Sequence, residues 1–327
     1  MFRSTYGIKF RLNGVKKAMH DSYISGQKVS NQVLEDDAEL SPDSMKVTKF
    51  VPPAALAPFV THIYFFRCEE LRLTDQIPAA LGQLLFLLKG SANLQIQGGP
   101  TVPVHNAAVI GPGVGTAEFT FEGPFHHLGF ALSPLGFVAL TGQPANQYAD
   151  RVVPASELFG PEIETLAQII TAGYADGTMR LAQIIDKIAG FLLAGLRPIP
   201  NAHVQMIQTV SRWVSRDFYP DIDQLYSKLD MSRSTAARLI KRYFGCAPKL
   251  LMRKYRALRA ATIMVDPNAT AELRSQVEST FYDQPHMIRE IRQFAGRTPG
   301  ALDSNNAKVT RLWLNNRDCR EIESFLG

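Results

Sequence analysis

The sequence predicts a mixed α+β chain of two domains: a β-barrel domain with trailing helices, followed by an all-α domain of two helix-turn-helix units. Three observations carry this. The chain has 327 residues, enough for about two domains. Between Phe50 and about Gly160 short apolar runs alternate with Gly and Pro, and from Ser156 the apolar period becomes helical. The C-terminal third then repeats itself at an offset of 51 residues.

Composition narrows the class. With 46% hydrophobic and 20% charged residues, each half can bury a core, which excludes a disordered chain, a collagen or a coiled-coil rod. The three cysteines, Cys68, Cys246 and Cys319, are too few and too scattered for a disulfide framework or a zinc cluster. A reducing, cytoplasmic setting is the expectation. The longest apolar stretches, Leu84 to Leu88 and Ile188 to Leu196, are core-sized, so no membrane span is expected. No apolar stretch follows the basic start Met1 to Arg11, so no secretory signal is expected.

Residues 1–45 read as a poorly ordered arm carrying an acidic cluster, Glu35, Asp36, Asp37 and Glu39, with a strand near Tyr6 to Leu12. The β-rich sensor or dimerisation domain follows over 46–200. Its strand candidates are Phe59 to Phe66, Leu84 to Leu88, Leu94 to Gln97, Ala107 to Ile110, Phe119 to Phe121 and His127 to Leu132. So many short runs suggest a small barrel with a cavity. Helices at about 157–196 complete the domain. Ile163, Leu166, Ile170 and Tyr174 share one helical face, and Ile185, Ile188, Leu192 and Leu196 share another. The second stripe suits packing onto the barrel and a homodimer interface equally. Arg197-Pro198-Ile199-Pro200 marks the boundary.

The tandem unit spans 201–306, and 307–327 reads as a tail. Arg238-Leu-Ile-Lys-Arg-Tyr-Phe-Gly245-Cys-Ala-Pro248 matches Arg289-Glu-Ile-Arg-Gln-Phe-Ala-Gly296-Arg-Thr-Pro299. Ser232 aligns with Asp283, both good helix N-caps. Each copy therefore predicts a helix, a tight turn, and a second helix that ends at a Gly suited to the left-handed cap. The Pro three residues later suits the first turn of the next helix. A connecting helix over Pro248 to Val265 would be roughly 27 Å long, which suits two reading helices in grooves about 34 Å apart. A helix from His203 to Phe218 would buttress the first unit.

Charge supports this division. Residues 1–200 carry a net −2 and residues 201–327 a net +7, and Lys228 to Arg259 holds ten basic residues against Asp230. A charge run alone is usually a solvated face. On a tandem helix-turn-helix it is the footprint of a phosphate-facing surface.

Several motifs resemble the AraC/XylS family of transcription regulators. They are Ser232-Arg-Ser-Thr-Ala-Ala-Arg238-Leu-Ile-Lys241, Gly245-x-x-Pro248, Tyr255-Arg256-x-x-Arg259-Ala260, Phe281-Tyr-Asp-Gln-Pro-His286-Met-x-Arg289 and Gly296-Arg-Thr-Pro299. The resemblance spans about residues 203–304. More loosely, Gly129-Phe130-Ala-Leu-Ser-Pro134-Leu-Gly136-Phe137, Leu140-Thr-Gly142 and Asp150-Arg151-Val152-Val153-Pro154-x-x-x-Leu158-Phe159-Gly160 are similar to the sensor domain of some such regulators, which implies a cupin-like barrel. The family pattern is departed from at Tyr226, Asp230, Ser275, Gln276 and Thr280. Polar residues at core positions of the second unit would loosen its first helix. Asp230, where the family has Gly, tolerates a left-handed backbone better than most residues.

The resemblance implies operator DNA as partner, with a small-molecule effector, RNA polymerase and a second copy of the chain as further partners. Arg233, Ser234, Thr235, Ala237 and Arg238 fall on the reading turns of the first unit. Arg238 suits guanine or phosphate, Ala237 a thymine methyl, and Lys241 phosphate. Gln284, His286, Arg289 and Arg292 are their equivalents in the second unit. Gln284 suits adenine or merely occupies the turn, and His286 suits packing or capping as well as reading. Arg256 and Arg259 are equally open to phosphate contact and to ion pairs within the domain. The first unit is expected to supply most of the sequence reading and the second to grip backbone.

No catalytic motif, cofactor loop or metal spacing appears. His62, His105, His126 and His127 lack ligand spacing, and adjacent His126 and His127 would face opposite sides of a strand. Cys246 reads as an inert turn residue before a redox switch. A non-enzyme is therefore expected. The competing readings are a cupin-like enzyme fused to a DNA-binding domain and a protein-interaction module.

Overall fold

The computed structural model describes residues 33–34, 45–216, 220–302 and 307–315. The strand expected near Tyr6 to Leu12 and the acidic cluster Glu35 to Glu39 lie outside them. The N-terminal part is an antiparallel sheet of nine strands, and helices make up the C-terminal part. In chain order the strands are β1 (Val33–Leu34), β2 (Met45–Phe50), β3 (Val60–Cys68), β4 (Arg72–Ile77), β5 (Gly82–Ile96), β6 (Thr101–Pro103), β7 (Ala107–Ile110), β8 (Ala117–Leu132) and β9 (Val152–Pro154). Their order across the sheet is β1-β2-β3-β8-β5-β7-β9, with β4 added to β8 and β6 to β5.

Two pairs of short apolar runs turn out to be halves of two long strands. Leu84 to Leu88 and Leu94 to Gln97 belong to β5, save Gln97 just beyond its end, and Phe119 to Phe121 and His127 to Leu132 both belong to β8. The break between the halves is a bulge. Lys89 pairs with His126 and Ser91 with Glu122, so Gly90 alone stands opposite Gly123, Pro124 and Phe125. Gly90 takes φ of 79°, and a side chain there would press on the Glu122 carbonyl. Bulges bend strands, and here both partners of the β5–β8 ribbon bend at one place.

The closed barrel expected from the sequence is not formed. The strand path ends at β1 and at β9, which do not pair with each other. Closure is unnecessary because both faces are covered in other ways. On one face Ile63, Phe65, Leu84, Phe86, Leu128 and Phe130 meet helices α4 (Glu162–Ala175) and α5 (Leu181–Ala194). On the other, Tyr64, Phe66, Leu85, Leu87, Phe121 and Phe125 line a concave surface. Alternation along each strand thus delivers apolar residues to both sides. The stripe on α5 is spent internally: Ile184, Ile185, Ile188, Ala189 and Leu192 are buried in the sheet's helical layer.

Between β8 and β9 lie α1 (Pro134–Thr141) and α2 (Ala145–Tyr148), and between β9 and α4 lies α3 (Ser156–Phe159). Helix α1 is buried along its whole length and sends Leu135 and Val138 into the core of the first helical unit. The helical part comprises α6 (Asn201–Arg216), α7 (Ile222–Ser227), α8 (Arg233–Phe244), α9 (Pro248–Val265), α10 (Ala271–Glu278), α11 (Gln284–Ala295), α12 (Pro299–Leu302) and α13 (Lys308–Asn315). Residues 307–315, read from sequence as the start of a tail, hold α13. Its Val309, Leu312 and Trp313 pack into the concave face of the sheet. No helix among the described residues is long and apolar enough to cross a membrane.

Truncating a fully buried aliphatic removes its transfer energy and leaves a cavity, about 2–5 kcal/mol together. Ile188→Ala is expected to lower stability in urea by that amount, whereas an α5 stripe held for a dimer would cost the monomer little.

Candidate nucleic-acid interface

The repeat in sequence is a repeat in structure. Helices α8 and α11 each have 12 residues. Ser232 caps the first by accepting from the Thr235 N–H at 3.3 Å, and Asp283 caps the second by accepting from the His286 N–H at 2.6 Å. Both end at a glycine with φ of 83°, Gly245 and Gly296. Both are followed by a helix that begins at proline, Pro248 or Pro299. Such caps satisfy orphan backbone groups and fix where each helix starts and stops.

Each helix divides into a core face and an open face. In α8, Ala236, Leu239, Ile240, Tyr243 and Phe244 are buried, resting on Ile207, Val210 and Val214 of α6. Arg233, Ser234, Arg238 and Lys241 are exposed, and Thr235 and Ala237 are half-buried beside them. In α11, Met287, Glu290, Ile291, Phe294 and Ala295 are buried, while Gln284, Arg289 and Arg292 are exposed. Most of the residues singled out from sequence therefore share one open face on each second helix.

The cations sort into two sets. Arg256 donates to Glu290 at 2.6 Å and to the Thr280 carbonyl at 3.2 Å, and lies over the Phe281 ring. Arg253 meets the other oxygen of Glu290 at 2.6 Å. Arg259 donates to the carbonyls of Val214 and Ser215 near the end of α6, and Arg274 to those of Met264 and Asp266. Of the two residues left open between phosphate contact and an ion pair within the domain, Arg256 makes the ion pair, and Arg259 donates to backbone carbonyls. Arg238, Lys241, Arg289 and Arg292, by contrast, have no hydrogen-bond or ion-pair partner among the described residues. Arg233 is intermediate: it is exposed, pairs with Asp223 at 2.8 Å and lies 5.3 Å over the Tyr226 ring. The departure at Tyr226 thus gives that arginine a platform.

His286 turns inward. It is half-buried, with Nε2 3.4 Å from Glu290 and its ring against Phe281. The remaining departures are mild. Ser275 and Gln276 are exposed, and the Thr280 hydroxyl donates to the Val277 carbonyl at 2.7 Å. Helix α10 nonetheless buries only Val277 fully. Asp230 needs no left-handed backbone, since the positive-φ residues other than glycine among those described are Gln97 and Asp150.

Sequence reasoning missed Glu290. It is only 1% exposed and joins two arginines across α9 and α11. The repeat held the signal: the matching position of the first unit is Leu239, a core residue.

A second site lies on the concave sheet face. A cavity of about 50 Å³ is walled by Tyr64, Leu85, Leu94, Phe119 and Trp313. The Tyr64 hydroxyl donates to Gln83 at 2.7 Å, and buried His127 leaves Nδ1 without a hydrogen-bond partner. Burial pushes the His127 imidazole from its ordinary 6.5 down to about 3, so it is neutral near pH 7. His126 points to the opposite face, where it meets the Tyr174 hydroxyl at 2.7 Å and Glu69 at 3.2 Å. Cys246 is buried, and burial raises its thiol to about 11. Among the described residues no three His, Cys, Asp or Glu side chains cluster as a metal site.

Residues 48–154 match a family model described as a domain of unknown function, DUF6597. No curated protein matches the chain. Among solved structures, ToxT from Vibrio cholerae O395 is similar, with a TM-score of 0.41 and 9% identity over 84% of this chain and 99% of that one. Wild-type ToxT from strain SCE256 with a bound unsaturated fatty acid gives 0.40 and 10%, over 79% and 94%. Likeness at this level carries no argument about function.

Removing one partner of a buried ion pair costs about 3–5 kcal/mol. Glu290→Ala is expected to lose that much stability in chemical denaturation, and a loss under 1 kcal/mol would contradict the geometry. His127 generates a pH prediction. Between about pH 6.5 and 3 the unfolded chain binds a proton at this residue that the folded chain does not. Stability therefore falls on acidification by about 1.4 kcal/mol per pH unit from this group. Relative to wild type, His127→Leu should gain about 2 kcal/mol between pH 7 and pH 5. Parallel pH profiles would contradict it.

Proposed function

We propose that this chain is a sequence-specific DNA-binding transcription regulator of the AraC/XylS type, working in the cytoplasm and modulated at its sheet domain. It acts by binding, with no catalytic step of its own. The observation that carries the reading is the pair of helices, each with a side-chain N-cap and a left-handed glycine C-cap, whose open faces hold uncommitted cations, Arg238 and Lys241 on one, Arg289 and Arg292 on the other. Solvating four cations needs no such order. Reading two major grooves does.

In this reading Arg238 forks onto guanine or phosphate, Ala237 meets a thymine methyl, and Ser234 and Thr235 donate at the groove wall. Lys241 and Arg292 neutralise phosphates, and their counterion release makes affinity fall steeply with salt. Gln284 and Arg289 are the groove-facing pair of the second unit. His286, held against Glu290, supports that helix and reads no base. Arg233 reaches the backbone from its Tyr226 platform. The first unit reads most of the sequence, because α10 anchors the second less deeply.

The cavity under Trp313 supports an effector of modest size, apolar and able to hydrogen-bond to the His127 ring. A room of about 50 Å³ holds a few waters as it stands, so an effector must move a wall.

Selection of bound duplexes from a random pool, followed by a salt titration of the winner, tests the reading. An enriched motif with steep salt dependence supports it. No binding at low salt would overturn it and favour a protein-interaction module. On the enriched duplex, Arg238→Ala is expected to weaken binding by about 1–3 kcal/mol and to relax one base position. Arg289→Ala should cost less and relax base preference less than Arg238→Ala does. The opposite order would reverse the roles of the two units.

A further inference from the structure

One carboxylate in the sheet domain holds three pieces of backbone and side chain from the far end of the sequence. Asp75, on β4, is 3% exposed. It accepts from the Arg297 guanidinium, from the Val309 N–H at 2.8 Å and from the Thr310 N–H at 3.3 Å. The Thr310 hydroxyl lies 3.0 Å from the same carboxylate and 2.8 Å from the Gln76 carbonyl. Val309 and Thr310 open α13, so Asp75 caps that helix from more than two hundred residues away. Arg297 directly follows Gly296, the C-cap of α11.

The apolar contacts run the same way. Trp313 stands edge-on to Tyr64 at 4.9 Å, while Leu314, next along α13, packs with Ala79, Leu258 and Phe294. The Ala79 N–H also donates to the Phe294 carbonyl at 2.8 Å, in the last turn of α11. The first unit is fixed to the sheet separately, through Gly245 against Pro112, and the connecting α9 through Lys254 on Ala80 and Gly113. The two open helices are therefore joined by two routes, one along α9 and one through the sheet.

We propose that Asp75 is a positioning residue for the second DNA-reading helix, with α13 as the brace through which it acts. The inference rests on the DNA reading above. A second helix held at a fixed angle to the first loses less freedom when it enters its groove, so the brace adds affinity without touching DNA. Asp75 should matter only when both units are engaged.

The test uses the full chain and two duplexes: the enriched site, and the same site cut short so that the second unit's half is missing. In a Trp213→Phe background Trp313 is the chain's remaining tryptophan, and its emission reports whether α13 is docked. Asp75→Ala is expected to shift that emission to the red. It should weaken binding to the full site on the order of tenfold and leave binding to the truncated site unchanged. Asp75→Asn, which keeps an acceptor for the helix N–H groups, should fall between. Trp313→Ala, which removes the reporter but spares the carboxylate, is expected to give the same loss on the full site alone, and its binding serves if Asp75→Ala does not fold. Equal losses on both duplexes, or a red shift with full-site affinity unchanged, would overturn the brace. Wild-type protein that binds neither duplex would instead overturn the DNA reading, and this inference with it.

Discussion

The architecture hangs on a buried ammonium. Lys254, in the middle of α9, is 3% exposed and donates to the carbonyls of Ala80 and Gly113, on two loops of the sheet. Taking an ammonium out of water is expensive unless its donors are matched. The contact therefore fixes both loops against one point of the connecting helix. Around it, Leu135 and Val138 of α1 enter the core of the first helical unit, and Ala79 enters that of the second. The sheet and the two units share cores, so a change in the sheet's shape bears directly on both open helices.

The basic composition of the C-terminal part takes its meaning from burial. Arginines that close the fold are spent on Glu290, on Asp75 and on the carbonyl ends of helices. Arg238, Lys241, Arg289 and Arg292 lie where the caps of α8 and α11 aim them, outward and in the same relative positions. Because structural cations are internally neutralised, a net charge of +7 over the C-terminal part understates how unevenly positive potential is distributed. The uncommitted side chains are the ones free to exchange counterions for phosphate.

The helical half was legible in the sequence because its determinants are local. Ser232, Asp283, Gly245, Gly296, Pro248 and Pro299 each fix a helix end within a few residues, and the connecting helix runs from Pro248 to Val265 as the periodicity indicates. The sheet was less legible. Alternation located its runs, but joining them across Gly90 and Gly123 depends on pairing between residues far apart in sequence. One face of the sheet is covered by α13, whose eight residues carry no signal of where they dock. The fate of Arg256 and Arg259 was undecidable for a similar reason: charge alone does not name its partner. Glu290 could have been found by reading the repeat for a charge at a core position.

The central claim is that one chain places two helices in neighbouring grooves of a single duplex. Hydroxyl-radical footprinting of the enriched site with the full chain tests it most directly. The account predicts two protected patches on the same face of the duplex, about 10 base pairs apart, with the patch assigned to the second unit fading first as salt rises. A single patch of one groove's width, unchanged by Arg289→Ala, would contradict it.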